Sequence, residues 1–116
     1  MPESALSDLV VLEFGNLVSA PYCTKLMADL GAEVIKIEAP GLGDEARSRE
    51  PFAEDRPGIE RSGLFAYLNT NKHGITLNPR TAAGRKVFKE LIKQVDVLGE
   101  NNPPLLMEEL GLRKKK

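Results

Sequence analysis

The stretch from Leu9 to Glu38 constrains this chain more than any other. Leu9-Val10-Val11-Leu12-Glu13-Phe14 is a nearly continuous apolar run with β-branched residues, the pattern of a strand covered on both faces in a parallel sheet. Gly15 and Asn16 break it. Pro21 suits a first helical position, where its missing N–H costs nothing, and Cys23, Leu26, Met27 and Leu30 follow at i, i+3, i+4 and i+7. That spacing predicts an amphipathic helix whose stripe, Cys23 included, packs on the core. Gly31 supplies a left-handed C-terminal position, and Val34, Ile35 and Ile37 open a second strand. Strand, helix and strand in this order form a right-handed crossover, with the loop Gly15 to Ala20 facing any ligand at the carboxyl ends of the strands.

From Ala39 to Gly63 the composition turns to Pro, Gly, Glu, Asp and Arg without periodicity, which predicts a long functional or mobile excursion. A short strand is expected over Gly74 to Leu77. Thr81 can cap a helix carrying Val87, Phe88, Leu91 and Ile92 on one side, and Val95 to Leu98 reads as another strand. Pro103 or Pro104 can open a last short helix that Gly111 stops. The expectation is one α/β domain, Rossmann-like, with a mostly parallel sheet and flanking helices over residues 1–112, then a solvated basic tail over residues 113–116.

Composition narrows the function. The 116 residues are 41% hydrophobic and 28% charged, as in a globular domain, and a net charge of -1 gives no field favouring nucleic acid or an anionic membrane. Apolar runs such as Leu9–Leu12 are too short to cross a bilayer, and Met1-Pro2-Glu3-Ser4 does not resemble a signal peptide, so cytoplasmic residence is expected. One cysteine, Cys23, excludes an intrachain disulfide, and one histidine, His73, leaves no cluster of soft metal ligands, so no metal is expected.

Dinucleotide binding is the first chemistry to weigh, because Glu38 ends the second strand where a carboxylate could meet a ribose. Only the first glycine of G-x-G-x-x-G is present in Gly15-Asn16-Leu17-Val18-Ser19-Ala20, so Glu38 reads instead as a solvated strand end. A generic nucleotide-binding domain stays open as an alternative. Cys23 near a helix N-terminus could be a nucleophile, but its place in the apolar stripe reads as a buried, inert thiol.

Several segments together carry a resemblance. Val18-Ser19-Ala20-Pro21-Tyr22-Cys23, then Ala28-Asp29-Leu30-Gly31-Ala32-Glu33-Val34-Ile35-Lys36-Ile37-Glu38, Gly41-Leu42-Gly43-Asp44, Asn69-Thr70-Asn71-Lys72-His73-Gly74 and Asp96-Val97-Leu98-Gly99-Glu100-Asn101 resemble the opening of family III CoA-transferases. That family includes formyl-CoA and carnitine-type CoA-transferases and α-methylacyl-CoA racemase. The resemblance implies the N-terminal α/β domain of a larger, interlocked homodimer that holds coenzyme A. The positions matching family coenzyme contacts are Leu17, Val18 and Ser19 in the first loop, Leu77 at the third strand, and Asn101 after the fourth.

The resemblance also implies a reaction: CoA moves between an acyl-CoA thioester and a carboxylic acid through an aspartate nucleophile and a mixed anhydride. That aspartate is expected beyond Lys116, and Asp8, Asp29, Asp44 and Asp96 read as surface or capping residues. The expectation is therefore a truncated portion that binds CoA or acyl-CoA without turnover by itself. The alternatives are a racemase-like fragment and a non-catalytic, self-associating module. Ala39-Pro40 and Glu109 stand where some members hold arginine, and His73, also at a usual arginine position, reads as ordinary. Arg47, Arg49 and Lys72 read as solvated surface charge.

Overall fold

A computed structural model of the chain describes residues 5–110 apart from Leu42, Pro57, Ile59, Arg61 and Pro104. Gly111 and the basic tail lie outside the described residues, as does Pro104 as a helix opener. Strands β1 (Val10–Phe14), β2 (Glu33–Glu38), β3 (Lys72–Thr76) and β4 (Val97–Glu100) form one sheet in the order β3-β2-β1-β4. Every pairing is parallel, with Val11 opposite both Val34 and Val97, and Ile35 opposite His73. An all-parallel sheet needs crossovers, and α1 (Ser19–Asp29) and α3 (Ala82–Ile92) supply helices for them. All the carboxyl ends therefore lie at one edge, as the first crossover predicts. β3 begins earlier than the expected Gly74, and β4 later than the expected Val95.

Residues i and i+2 of a strand share a face, so the sheet has two distinct sides. One side carries the larger apolar core: Leu12, Ile37, Phe88 and Leu110 are buried together, with Phe14, Ile35, Ile75, Leu77, Leu91 and Leu98 packed around them. Phe88 from α3 meets Phe14 edge to face at 5.1 Å between ring centres. Thr81 caps α3 by accepting from the Gly84 N–H at 3.0 Å, as its position predicts. The other side is apolar only at the amino half, where Val11, Val34, Ala28 and Ala32 pack; its carboxyl half carries Glu13 and Lys36, both buried.

Helix α1 covers that second side in an unexpected orientation. Its buried residues are Ala20, Pro21, Thr24 and Ala28, small groups that let the helix lie close to the sheet. Most of the predicted stripe faces outward: Cys23 is exposed, and Leu26 and Leu30 are 46% and 53% exposed, beside Val18 and Tyr22, while Met27 of the same stripe packs partly buried against the Val11 cluster. The reading of Cys23 as buried is thus corrected. The small residues set a narrow gap, so most of the bulkier apolar face turns away.

The excursion after β2 is more ordered than its composition predicts. It holds 3-10 turns at Glu45–Ser48 and Ala53–Asp55, a short antiparallel bridge between Phe52 and Ser62, and helix α2 (Gly63–Leu68). Ser62 organises it: the hydroxyl accepts from Phe65 N–H to cap α2, and its single hydrogen is shared between the Ala46 and Arg49 carbonyls. A short helix, α4 (Leu106–Glu109), follows β4.

Candidate functional site

The loop after β1 sits at the carboxyl edge, between the segments that follow β2 and β4. Asn101 reaches it from the end of β4. Its Oδ1 accepts from Asn16 N–H at 2.9 Å, and its amide donates to the Asn16 carbonyl and to Ser19 Oγ, both at 2.8 Å. Gly15 permits this approach, because a Cβ there would lie 2.6 Å from Asn101 Oδ1 and 2.7 Å from the Ala20 Cβ. Asn102 adds a bond from its amide to the Phe14 carbonyl at 2.8 Å. From the other side, Asp44 Oδ1 accepts from Leu17 N–H at 2.9 Å. Leu17 holds φ 62°, a left-handed conformation that a non-glycine residue adopts only when its surroundings fix it.

Four of the five sequence-derived contact positions are thus brought together: Leu17, Val18 and Ser19 are consecutive, and Asn101 binds the last of them. Leu77 is at the same edge but stands apart, since β2 separates β3 from β1. Its N–H donates to the Glu38 carbonyl at 3.1 Å, and its side chain packs toward the apolar core. Val18 is 51% exposed, and α1 begins beside it with no side-chain cap and no acid in its first turn. The edge therefore presents an apolar side chain, a hydroxyl and a helix terminus of partial positive charge. Among the described residues, no group of three or more His, Cys, Asp or Glu is placed to hold a metal.

Beneath the loop lies a buried ionic network. The Lys36 ammonium contacts Glu13 Oε2 and lies 2.7 Å from Asp44 Oδ2 as an ion pair outside hydrogen-bond alignment. Glu13 Oε1 accepts from Lys72 Nζ and from Thr24 Oγ1, each at 2.6 Å. Lys72 Nζ also donates to Asn69 Oδ1 at 2.7 Å and to the Pro21 carbonyl at 3.0 Å. The side chains of Glu13 and Asp44 are fully covered, and those of Lys36 and Lys72 are 2% exposed. Burial pushes the Lys72 ammonium below its ordinary pKa, against the upward pull of the Glu13 carboxylate.

Lys72 is therefore not a solvated surface charge, and Asp44 is a capping residue as expected but not a surface one: Oδ1 also accepts from Ala46 N–H at 2.8 Å to open the first 3-10 turn. Glu38 and Arg47 correct two further expectations. Arg47 donates to Glu38 Oε1 at 2.8 Å and to Oε2 at 2.9 Å, and its guanidinium lies 3.7 Å from the Phe65 ring centre. Glu38 Oε1 also accepts from Asp44 N–H at 2.9 Å. Burial raises the Glu38 pKa, but the bonds from Arg47 and the Asp44 N–H, with the charges of Arg47 and Lys36, hold it below the ordinary carboxylate value. Glu13, Asp44 and Glu38 are thus all committed to structural pairs.

The sequence reading missed Glu13 and Lys36, although a signal was present. Each is a charge inside a β-branched run expected to be covered on both faces, and they have opposite signs at matching register positions. Such residues must pair in the interior.

The fold has known counterparts. A family model described as CoA-transferase family III matches residues 6–116. A formyl-CoA:oxalate CoA-transferase of Bradyrhizobium diazoefficiens is 42% identical over 107 residues, covering 92% of this chain and 24% of the relative. An acyl-CoA transferase of Fusarium pseudograminearum is 40% identical over 114 residues, covering 95% of this chain and 25% of the relative. Among solved structures, a CAIB/BAIF family protein from Brucella suis superposes with a TM-score of 0.85 at 31% identity, over 97% of this chain and 30% of that one. A Mycobacterium tuberculosis protein gives 0.85 at 32% identity, over 98% and 30%. The chain spans about a quarter of the length of these curated relatives.

Proposed function

This chain belongs to CoA-transferase family III, and on that premise we propose that its carboxyl sheet edge is the coenzyme A-binding portion of an enzyme that moves CoA between an acyl-CoA and a carboxylic acid. The observation that carries the reading is the Asn101 clamp, which joins the loop after β1 to the loop after β4 and leaves Val18 exposed. Leu17, Val18, Ser19 and Asn101 form the contact surface, and Leu77 extends it along the edge. The exposed Val18 offers an apolar seat, and the opening turn of α1 favours a phosphate. Neither Glu13 nor Asp44 is free to act as a nucleophile, so this portion binds and positions, and the acyl-transfer aspartate is supplied from elsewhere in the enzyme. The homodimer implied by the resemblance, and the cytoplasmic residence expected from the sequence, belong to the same reading.

Calorimetric titration of the chain with CoA, and with NAD as the competing ligand class, tests the proposal. Saturable binding of CoA that weakens by about tenfold in Asn101→Ala, which loses three hydrogen bonds to the loop, is the expected result. Binding of NAD without binding of CoA would establish a generic nucleotide domain instead.

A further inference from the structure

The buried ionic network touches the chain on both sides of Val18–Ala20, the segment that joins the loop after β1 to the first turn of α1. At the near end Asp44 Oδ1 accepts from Leu17 N–H at 2.9 Å. At the far end, inside the first turn of α1, the Pro21 carbonyl accepts from Lys72 Nζ at 3.0 Å. Between those ends run Asp44, Lys36, Glu13 and Lys72, each in contact with the next. The residues between the two anchor points are Val18, Ser19 and Ala20. Four charged side chains almost wholly removed from water cost more than they return in stability unless their geometry is held tightly. A tightly held network is a rigid support.

We infer that Asp44, backed by Lys36, Glu13 and Lys72, is a positioning residue that fixes Leu17 in its left-handed conformation and so presents Val18 and Ser19 to the coenzyme. The inference rests on the reading of this edge as a CoA site. Asp44 suits the task because its two oxygens do different work. Oδ1 accepts from Leu17 and Ala46 N–H groups, and Oδ2 faces the Lys36 ammonium. Only a carboxylate satisfies both sides. An asparagine would turn its NH2 either toward the Lys36 ammonium or toward the two backbone N–H groups, and each choice sets donor against donor. A left-handed leucine without its anchor relaxes toward the broader β and right-handed regions, which redirects the Val18 side chain.

The test compares the 116-residue chain with Asp44→Asn and with the charge-balanced pair Asp44→Ala and Lys36→Met, which removes one buried charge of each sign. Phe88→Leu, in the core on the opposite side of the sheet, is the control for loss of stability alone. Two quantities are read: the CoA dissociation constant by calorimetry, and the exchange rate of the Leu17 amide hydrogen by NMR. In both Asp44 variants Leu17 exchange accelerates and CoA binding weakens, each by about tenfold, as expected for one lost charge-assisted bond. Phe88→Leu lowers the melting temperature without either change. Unaltered Leu17 exchange in a folded Asp44 variant overturns the inference, as does an equal loss of CoA affinity in Phe88→Leu. If Asp44→Asn does not fold, the balanced pair decides. A Leu17 amide already unprotected in the parent chain also overturns it. If the parent does not bind CoA, the functional reading fails separately, and Leu17 exchange alone settles whether the loop is positioned.

Discussion

Lys72 donates to Glu13 across 2.6 Å, joining β3 to β1 over the strand that lies between them. Neither strand pairs with the other through its backbone, so this side-chain contact is an independent, diagonal tie from the start of β3 to the carboxyl half of β1.

Removing Lys72 leaves Glu13 with Lys36 and Thr24 as partners, but it leaves two buried carboxylates, Glu13 and Asp44, to share the single Lys36 ammonium. Lys72→Met is therefore expected to destabilise the chain by about 3–5 kcal/mol. Glu13→Gln combined with Lys72→Met leaves Lys36 facing Asp44 and is expected to recover a large part of that loss. Urea denaturation of the singles and the double measures the coupling, and additive effects would show that the tie is energetically idle.

The Glu38–Arg47 pair gives a pH dependence of known sign. The Glu38 pKa is lowered in the folded state, so in the window below its ordinary value, about 4.3, the unfolded chain binds the proton first. The pair's contribution is present above that value and is lost as pH falls through the folded pKa. Glu38→Gln should thus be less stable than the parent near neutrality, and the gap should close as the solution is acidified. Denaturation midpoints of the two proteins across this range check it; a constant gap would mean that Glu38 is not the group responsible.

Gly15→Ala places a methyl group 2.6 Å from Asn101 Oδ1 and 2.7 Å from the Ala20 Cβ. Relief requires moving the Asn101 clamp or the start of α1. We expect a loss of about 1–3 kcal/mol, accompanied by weaker CoA binding, measured by thermal denaturation and calorimetry. A variant with parental stability and affinity would contradict the close approach.

The outward orientation of Cys23 predicts that its thiol reacts with a small alkylating reagent in the folded chain at a rate close to that in denaturant. Mass spectrometry of timed aliquots follows the modification. Strong protection in the folded state would restore the apolar stripe to the core.

The sheet was readable because parallel strands covered on both faces leave continuous apolar runs, and because Gly31 and Thr81 mark helix boundaries through their own conformational and capping chemistry. The first loop was readable from its place between Phe14 and Pro21. The orientation of α1 was not, because periodicity locates an apolar face without saying whether larger or smaller residues meet the sheet; Ala20, Thr24 and Ala28 carry too little hydrophobicity to announce a buried side. Helix α2 was hidden by its length, since Gly63–Leu68 is too short to establish a period, although Ser62 is a strong cap. The ionic network escaped because Lys72 and Asp44 meet Glu13 and Lys36 only through the tertiary fold.

The strand order β3-β2-β1-β4 has a consequence for the chain during its synthesis. β1 and β2 emerge early and can pair, and β3 can extend that ribbon on the outer side of β2. The other edge of β1 waits for Val97–Glu100, the last in chain order of the four described strands. Until then the nascent sheet exposes the unpaired backbone of an apolar strand, the kind of edge that recruits neighbouring chains. The β4 pairing therefore acts late, as the closing step that protects β1 from misassociation.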